Sequence, residues 1–550
     1  MFGRNLSHGN GKKAAWVYLK AAGNVPGNWL PVTSVNPYKV DFMIPANLPN
    51  GTYQIWAHNG HGGRYGWSSP LDITIADGSV WISAELNVKQ FGARGDGIAD
   101  DEAAIQAALL AAQQNPGTTI YFPAGTYSVS RGFRLPANTR WRGEGKDQTI
   151  IKLSKAFIKT AQYDDRRYCL IFDSSSSKNV EIKDLTLDAD GNLKGYLDTL
   201  IHLRGQSEIR FTNVKVKSEG YKFFDMHLSS LIFLKNCDFI GTGGFLGNAK
   251  QVFVDGCNFL GTNDANTLLD SWGANGLSVT NSTARDLDNS TTNGWAQGRF
   301  VYGNGVWGSN RNIYVGDNKT IDLSVRPNFN NQTSGEQFLW EGNATVYTGQ
   351  PTTATATTVT FDNYPEAYAD ERYEAVIIKG KGFGQHRRIT GNDRDKRTIS
   401  VSPAWTLSPD STSTLIVGAV AEKIVLYRNS IDGKSDYAVR ETASSAIQPY
   451  GNSYDFIADS NITRQVMTAI SSWATDEKNT IQPCYFNLYV NNDIGEGQIG
   501  ALANVEYAQN MTDSPGISYF GNSFRRNITA RFKSRWFFSR RGWSAARTTA

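Results

Sequence analysis

Short strand-forming segments recurring at near-regular intervals constrain this chain more than any other feature. Phe211-Thr212-Asn213-Val214, Leu234-Lys235-Asn236-Cys237, Val254-Asp255-Gly256-Cys257, Val279-Thr280-Asn281-Ser282 and Val315-Gly316-Asp317-Asn318 align with one another. The series resumes with Tyr427-Arg428-Asn429-Ser430, Ala458-Asp459-Ser460-Asn461, Val490-Asn491-Asn492-Asp493 and Phe520-Gly521-Asn522-Ser523. A unit this short cannot bury its apolar face alone, so its copies must stack. The recurrent Asn suits a stacked turn: it tolerates left-handed backbone, and its amide can bond its copy one rung away. The early spacing fits one three-sided coil. Later coils are longer, which puts extended loops on one face, where groove walls are built. The expected fold is all-β, a right-handed parallel β-helix.

The start of the solenoid is marked by Phe91-Gly92-Ala93-Arg94-Gly95-Asp96-Gly97, then Asp100-Asp101 and an alanine-rich stretch. Residues 100–115 predict an amphipathic helix with Ile105, Ala108, Leu109 and Ala112 on one stripe. Asp100 and Asp101 sit where carboxylates satisfy free N–H groups, and Asn115-Pro116-Gly117 stops the helix. Such a stripe covers the open end of a solenoid. Asp96, Asp100 and Asp101 are therefore assigned structural roles.

The coils occupy 85–343 and 420–525. Residues 1–80 alternate as β-strands, as in Thr52-Tyr53-Gln54-Ile55-Trp56-Ala57, and predict an immunoglobulin-like β-sandwich. The loop Asn59-Gly60-His61-Gly62-Gly63 reads as a glycine turn. Residues 344–419, rich in Thr and strand-formers, predict a small β-barrel inserted between two coils. Its Gly380, Gly382 and Gly384 lack the following helix that a nucleotide loop needs. Residues 526–550 are a basic tail.

All 51 acidic residues lie in 1–513, whereas eight of the 55 Lys and Arg lie beyond it. The body is thus mildly acidic and offers no case for nucleic acid. Four cysteines are too few for a disulfide scaffold, and Cys237 and Cys257 fall at matching places in consecutive repeats. No apolar run is long enough to span a bilayer. The opening Met1-Phe2-Gly3-Arg4 reads as a start inside a longer protein, and an extracellular, monomeric protein is expected.

The run Phe91-Gly92-Ala93-Arg94-Gly95-Asp96-Gly97 with Asp100-Asp101, followed by Ile120-Tyr121-Phe122-Pro123-Ala124-Gly125-Thr126-Tyr127, resembles the start of the pectate-lyase-like β-helix superfamily. That group includes polygalacturonase-type hydrolases, polysaccharide lyases and tailspike depolymerases. The resemblance implies a polysaccharide lying along the solenoid. It carries over no catalytic set: the Asp-Asp pair and Arg-Ile-Lys element of polygalacturonases do not occur in the middle coils, and Gly60-His61-Gly62 lies outside the solenoid.

Groups that act on a bound chain must point outward from stacked strands, and the strands around 227, 270, 302, 341 and 440 put polar groups among apolar ones. Glycoside hydrolysis needs two carboxyl groups. Asp270 and Glu341 are the leading pair, with Glu441, Asp264 and Glu336 in reserve. His227, Arg299, Tyr302, Arg440, Trp272, Trp295 and Trp340 are candidate substrate contacts. A lyase would instead need a base and a cation beside a uronate carboxyl, which His227, Tyr302, Lys222, Arg299 and Arg440 could supply. A non-catalytic glycan-binding protein is the third reading. His202, in an early apolar strand, is read as structural. No metal or other cofactor is required, although the turn Asp188-Ala189-Asp190-Gly191-Asn192 offers oxygen ligands for calcium.

Overall fold

The computed structural model describes residues 1–7, 15–21, 27–76, 80–155, 169–173, 178–191, 199–262, 267–286, 298–323, 336–342, 345–363, 370–433, 445–477, 480–495, 497–506, 519–520, 523–525 and 528–529. The chain forms two units, Met1–Ile82 and Ser83–Ala550.

The first unit is a two-sheet β unit. Trp16–Ala21 lies between Asn28–Leu30 and Gly51–His58, with Leu71–Ile75 on the far edge, all antiparallel. Val32–Val35 and Val40–Phe42 make a two-stranded sheet. Period-two alternation decides what is buried. Val17, Leu19, Ile55 and Ala57 point into a core with Leu30 and Val40, which leaves Trp16, Tyr18, Trp29 and Trp56 on the other face.

The second unit is a parallel β-helix of thirty-seven hydrogen-bonded strands among the described residues. Three columns of parallel strands run along it. One passes through Ser230–Lys235, Lys250–Asp255, Asn275–Thr280, Asn310–Gly316 and Ala421–Tyr427. A second passes through Asn258–Gly261, Thr283–Asp286, Lys319–Ile321 and Ser430–Asp432. The third, which carries the site below, passes through Thr199–His202, the end of Ser207–Asp225, the end of Asp238–Phe245, Thr267–Asp270, Arg299–Asn304, Phe338–Gly342 and Ser445–Gly451. The interior is close-packed by residues at matching heights, such as the file Phe239, Phe259, Phe300 and Phe338 with successive rings 5.2–5.6 Å apart.

The helix Glu102–Gln114 buries Ile105, Ala108 and Leu109 against the first coil. Asp100 accepts from the Glu102 N–H at its start. The Asp101 side chain makes no cap bond; it turns back to accept from the Arg94 and Gly95 N–H groups, so it ties the opening turn to the helix.

The repeated turn splits in two the roles that the sequence assigned to one asparagine. One position takes left-handed backbone: Asn213, Asn236, Gly256, Asn281, Asp317, Arg428, Ser460 and Asn491 all have φ between 51° and 64°. The next position points inward and holds Cys237, Cys257, Ser282, Asn318, Asn429, Asn461 and Asn492, all buried. From Asn318 on it is a ladder: Nδ2 of Asn318 donates to Oδ1 of Asn429, Asn429 to Asn461, and Asn461 to Asn492, at 2.9–3.0 Å. Each Oδ1 also accepts the backbone N–H of the preceding rung. Pairing of Gly316 with Tyr427 and of Asp459 with Val490 shows that the aligned segments Tyr427–Ser430 and Val490–Asp493 are one residue out of step with their neighbours.

Between two coils the chain leaves for a seven-stranded antiparallel sheet over Thr345–Gly418, with its own core around Phe361, Ile377, Ile399, Trp405 and Val417. Its end strands, Thr345–Gly349 and Thr353–Ala354, are joined by residues 350–352, so the sheet must curl until its two edges approach. The coils continue without a break in pairing, Tyr314 opposite Val425. A buried charge cluster fastens the insert: Arg311 contacts Glu422 at 2.9 Å and Glu374 at 3.3 Å, and His386 contacts Glu374 at 2.7 Å.

Candidate functional site

The third column sets side chains of successive coils one above another. Parallel pairing places His202 opposite Asp225, Asp225 opposite Phe245, Phe245 opposite Asp270 and Asp270 opposite Tyr302. Two residues further on, Asn304 lies opposite Glu341, and Glu341 opposite Tyr450. Alternation keeps Ile201, Phe224, Leu269 and Val301 in the core, so this file faces the other way.

At one end is a His–carboxylate–His cluster. Asp225 Oδ1 lies 2.5 Å from His227 Nδ1, and Asp225 Oδ2 lies 3.8 Å from His202 Nε2. Burial pushes the Asp225 carboxyl up, but the His227 hydrogen bond and the nearby imidazoles outweigh it and hold it below the usual range. Lys222, on the same strand, sets its ammonium 4.7 Å from the Phe245 ring centre. The half-buried Trp307, from the turn after Arg299–Asn304, closes on His227 at 5.6 Å and on Phe245 at 5.0 Å.

In the middle, burial pushes the Asp270 carboxyl up to about 6, against the charges of Lys222 and Arg299. At the other end Tyr302 donates to Glu341 Oε2, and Asn304 Nδ2 donates to both at 2.6 Å. Burial raises the Glu341 carboxyl above its ordinary range.

The structure therefore gathers His227, Asp270, Tyr302 and Glu341 into one file. Glu336 is not a free acid but the buried partner of Arg299, at 2.9 Å, and it also accepts from Gln448. Arg299 is correspondingly committed to Glu336 and lies over the Tyr302 ring, so it is not an open substrate cation. Trp340 is fully buried and packs on Phe456 in the solenoid core, which corrects its assignment to the groove. Trp272 is half-buried, edge-on to Tyr302 and Trp307. Glu441, Asp264, Arg440 and Trp295 lie outside the described residues.

His202, read from its apolar strand as structural, joins the cluster because parallel pairing sets it beside Asp225. That neighbour is a coil away in sequence and invisible locally. The Asp225-Met226-His227 spacing was the legible signal, since the carboxylate and the imidazole are two residues apart.

His202, Asp225 and His227 each offer a ligand atom within 4.8 Å of the others, as do Glu374, His386 and Glu422. In both clusters a carboxylate already bonds an imidazole, and Arg311 fills the second. The turn at Asp188 holds its charge with lysines: Asp188 contacts Lys217 at 3.0 Å and Asp190 contacts Lys152 at 3.5 Å, while Asn192 lies outside the described residues. Among the described residues no helix is long and apolar enough to cross a membrane.

Residues 86–304 match the family described as rhamnogalacturonase A/epimerase, pectate lyase-like. The chain is 32% identical over 157 residues to mannuronan C5-epimerase AlgE1 of Azotobacter vinelandii, covering 26% of this chain and 11% of that one. It is 32% identical over 159 residues to alginate lyase 7 of the same organism, covering 26% and 18%. Among solved structures, the family 28 exopolygalacturonase of Yersinia enterocolitica aligns over 97% of this chain and 96% of its own, with 10% identity and a TM-score of 0.36. The chain thus spans between about a tenth and a fifth of the length of these two curated relatives. The motif at residues 91–127, the three columns of parallel strands and the family match place the solenoid in the pectate-lyase-like β-helix superfamily.

Proposed function

We propose that the third column binds a uronate polysaccharide and removes the proton at C5 of one uronate residue. This step is common to β-elimination and C5-epimerisation. The observation that carries the reading is the His202–Asp225–His227 cluster with Lys222 on the same strand. Glycoside hydrolysis rests on two carboxyl groups; proton abstraction beside a carboxyl group needs a base, and an imidazole oriented by a carboxylate is one. Relatives named as a mannuronan C5-epimerase and an alginate lyase support the same chemistry.

Asp225 accepts the Nδ1 proton of His227, which leaves the lone pair on Nε2 and fixes the ring. Nε2 takes H5, and the electron pair of the C5–H bond moves into the substrate carboxyl, whose growing charge Lys222 offsets. In elimination the C4–O4 bond then breaks, a C4–C5 double bond forms, and O4 takes a proton. In epimerisation a proton returns to the opposite side of C5. His202 is the second imidazole that can deliver it.

Hydrolysis by Asp270 and Glu341 is the second reading, favoured by the raised carboxyls of both. They stand two rungs and two residues apart, about 12 Å between backbones, which is wider than the spacing of a retaining pair.

Polymannuronate digested in heavy water separates the two. Deuterium at C5, read by proton NMR, or ultraviolet absorbance from unsaturated ends supports proton abstraction. New reducing ends with neither signal would sink it and move the chemistry to Asp270 and Glu341.

A further inference from the structure

The first unit carries a surface that none of this chemistry uses. Cross-strand pairing puts Trp29, Tyr18 and Trp56 in one row across its four-stranded sheet and Trp16 beside His58 in the next. Trp67 pairs with His58 at the end of the second row. The rings touch: Tyr18–Trp29 5.0 Å, Trp16–Trp29 6.2 Å, and Trp29–Trp67 6.0 Å with planes 30° apart. Yet Trp29 is 61% exposed, Trp16 52% and Trp67 39%. Contiguous exposed aromatic area of this kind marks a binding surface on a protein.

The patch is built rigidly. His58 stacks on Trp16 with planes 15° apart, bonds the Gly63 carbonyl through Nε2 and accepts the Gly60 N–H at Nδ1. The glycine turn 59–63 thereby holds both rows. An open groove lined by Leu30 and Val32 runs beside Trp16 and Trp29. The next level of the sheet is polar: Lys20 stands opposite Gln54, which donates to Asp72.

We propose that this face docks a pyranose polysaccharide. Flat indole faces match the C–H faces of sugar rings, and the bordering ammonium, amide and carboxylate match ring hydroxyls. The surface is a second attachment point for a long polymer, raising its local concentration at the solenoid. The proposal does not depend on the reaction assigned to the solenoid.

The test is affinity electrophoresis of the full chain through gels containing polymannuronate or hydroxyethylcellulose. Compared with wild type are W16A/W29A and, as a control in the solenoid, H227A. Both tryptophans are exposed, so circular dichroism of the double variant should match wild type. The expected result is retardation of wild type and H227A by at least one polymer, with at least a tenfold weaker dependence on polymer concentration for W16A/W29A. Equal retardation of all three, no retardation of wild type, or loss only in H227A would overturn the proposal. So would a wild-type dimer in sedimentation that W16A/W29A abolishes, because the face would then be a contact between two copies.

Discussion

Asp225 Oδ1 and His227 Nδ1 are 2.5 Å apart, two residues apart in sequence, with the carboxyl held below its ordinary range. If His227 is the base, H227A should lower C5-proton exchange by about 10²–10⁴-fold. D225N keeps the shape but loses the acceptor that fixes the tautomer, and should lose a comparable factor. Unchanged exchange in H227A, with native circular dichroism, would remove His227 from the reaction.

Asp270 has its folded pKa raised to about 6 from 3.8. Its burial therefore costs nothing while both states are protonated, below about pH 4, and the penalty grows as pH rises through 6. The full shift corresponds to about 3 kcal/mol, and the partial exposure of the side chain reduces it to about 1–2 kcal/mol. D270N should be more stable than wild type to urea at pH 8 by that amount and equal to it at pH 3.5. Equal midpoints at both values would show that Asp270 is solvated.

Arg299 and Glu336 are both buried and joined at 2.9 Å. E336A strands a buried guanidinium and should cost about 3–5 kcal/mol, whereas R299M/E336L should recover most of it. A double variant no more stable than E336A would mean that the pair's surroundings, not its charge, set the cost.

Glu422 is pushed up to about 7 by burial first and by the charge of Glu374 second, with Arg311, Lys423 and His386 pulling it down. Its contribution is greatest below pH 4.5 and is lost as pH rises through 7. Hydrogen exchange in Glu374–Lys379 should thus accelerate above pH 7 beyond the intrinsic base-catalysed rise, and E422Q should abolish the excess. Protection indifferent to E422Q would dissociate this cluster from docking of the insert.

Asn429 donates to the Val315 carbonyl and to Asn461, and accepts from Asn318. N429A takes a partner from the Asn318 backbone N–H and the Val315 carbonyl on one coil and from the Asn461 amide on the next, and should cost about 2–4 kcal/mol in chemical denaturation. A loss below 0.5 kcal/mol would show that water replaces the amide.

The solenoid was legible because stacking writes its period into the chain: the aligned turns and the helix stripe Ile105, Ala108 and Leu109 follow from burial alone. The slip at Tyr427 arose because a left-handed Arg428 occupies the place where earlier coils have Asn, Asp or Gly, so residue identity misled while register did not. The site was legible only as a file. Asp270, Tyr302 and Glu341 could be named from their strands, yet the Arg299–Glu336 pair depends on which coil lies next, and no local pattern encodes that. Trp340 looked like a groove residue because tryptophans cluster in the middle coils; alternation sends its indole inward.

The asparagine ladder also has a direction. Each rung's backbone N–H is completed by the side chain of the coil that follows it, from Ser282 to Asn318, Asn429, Asn461 and Asn492. During synthesis the newest coil is always one acceptor short until its successor arrives. Growth towards the C-terminus is thereby rewarded one step at a time, and a chain truncated within these coils presents an open donor and an open strand edge together. That end is where pairing with a wrong molecule would start.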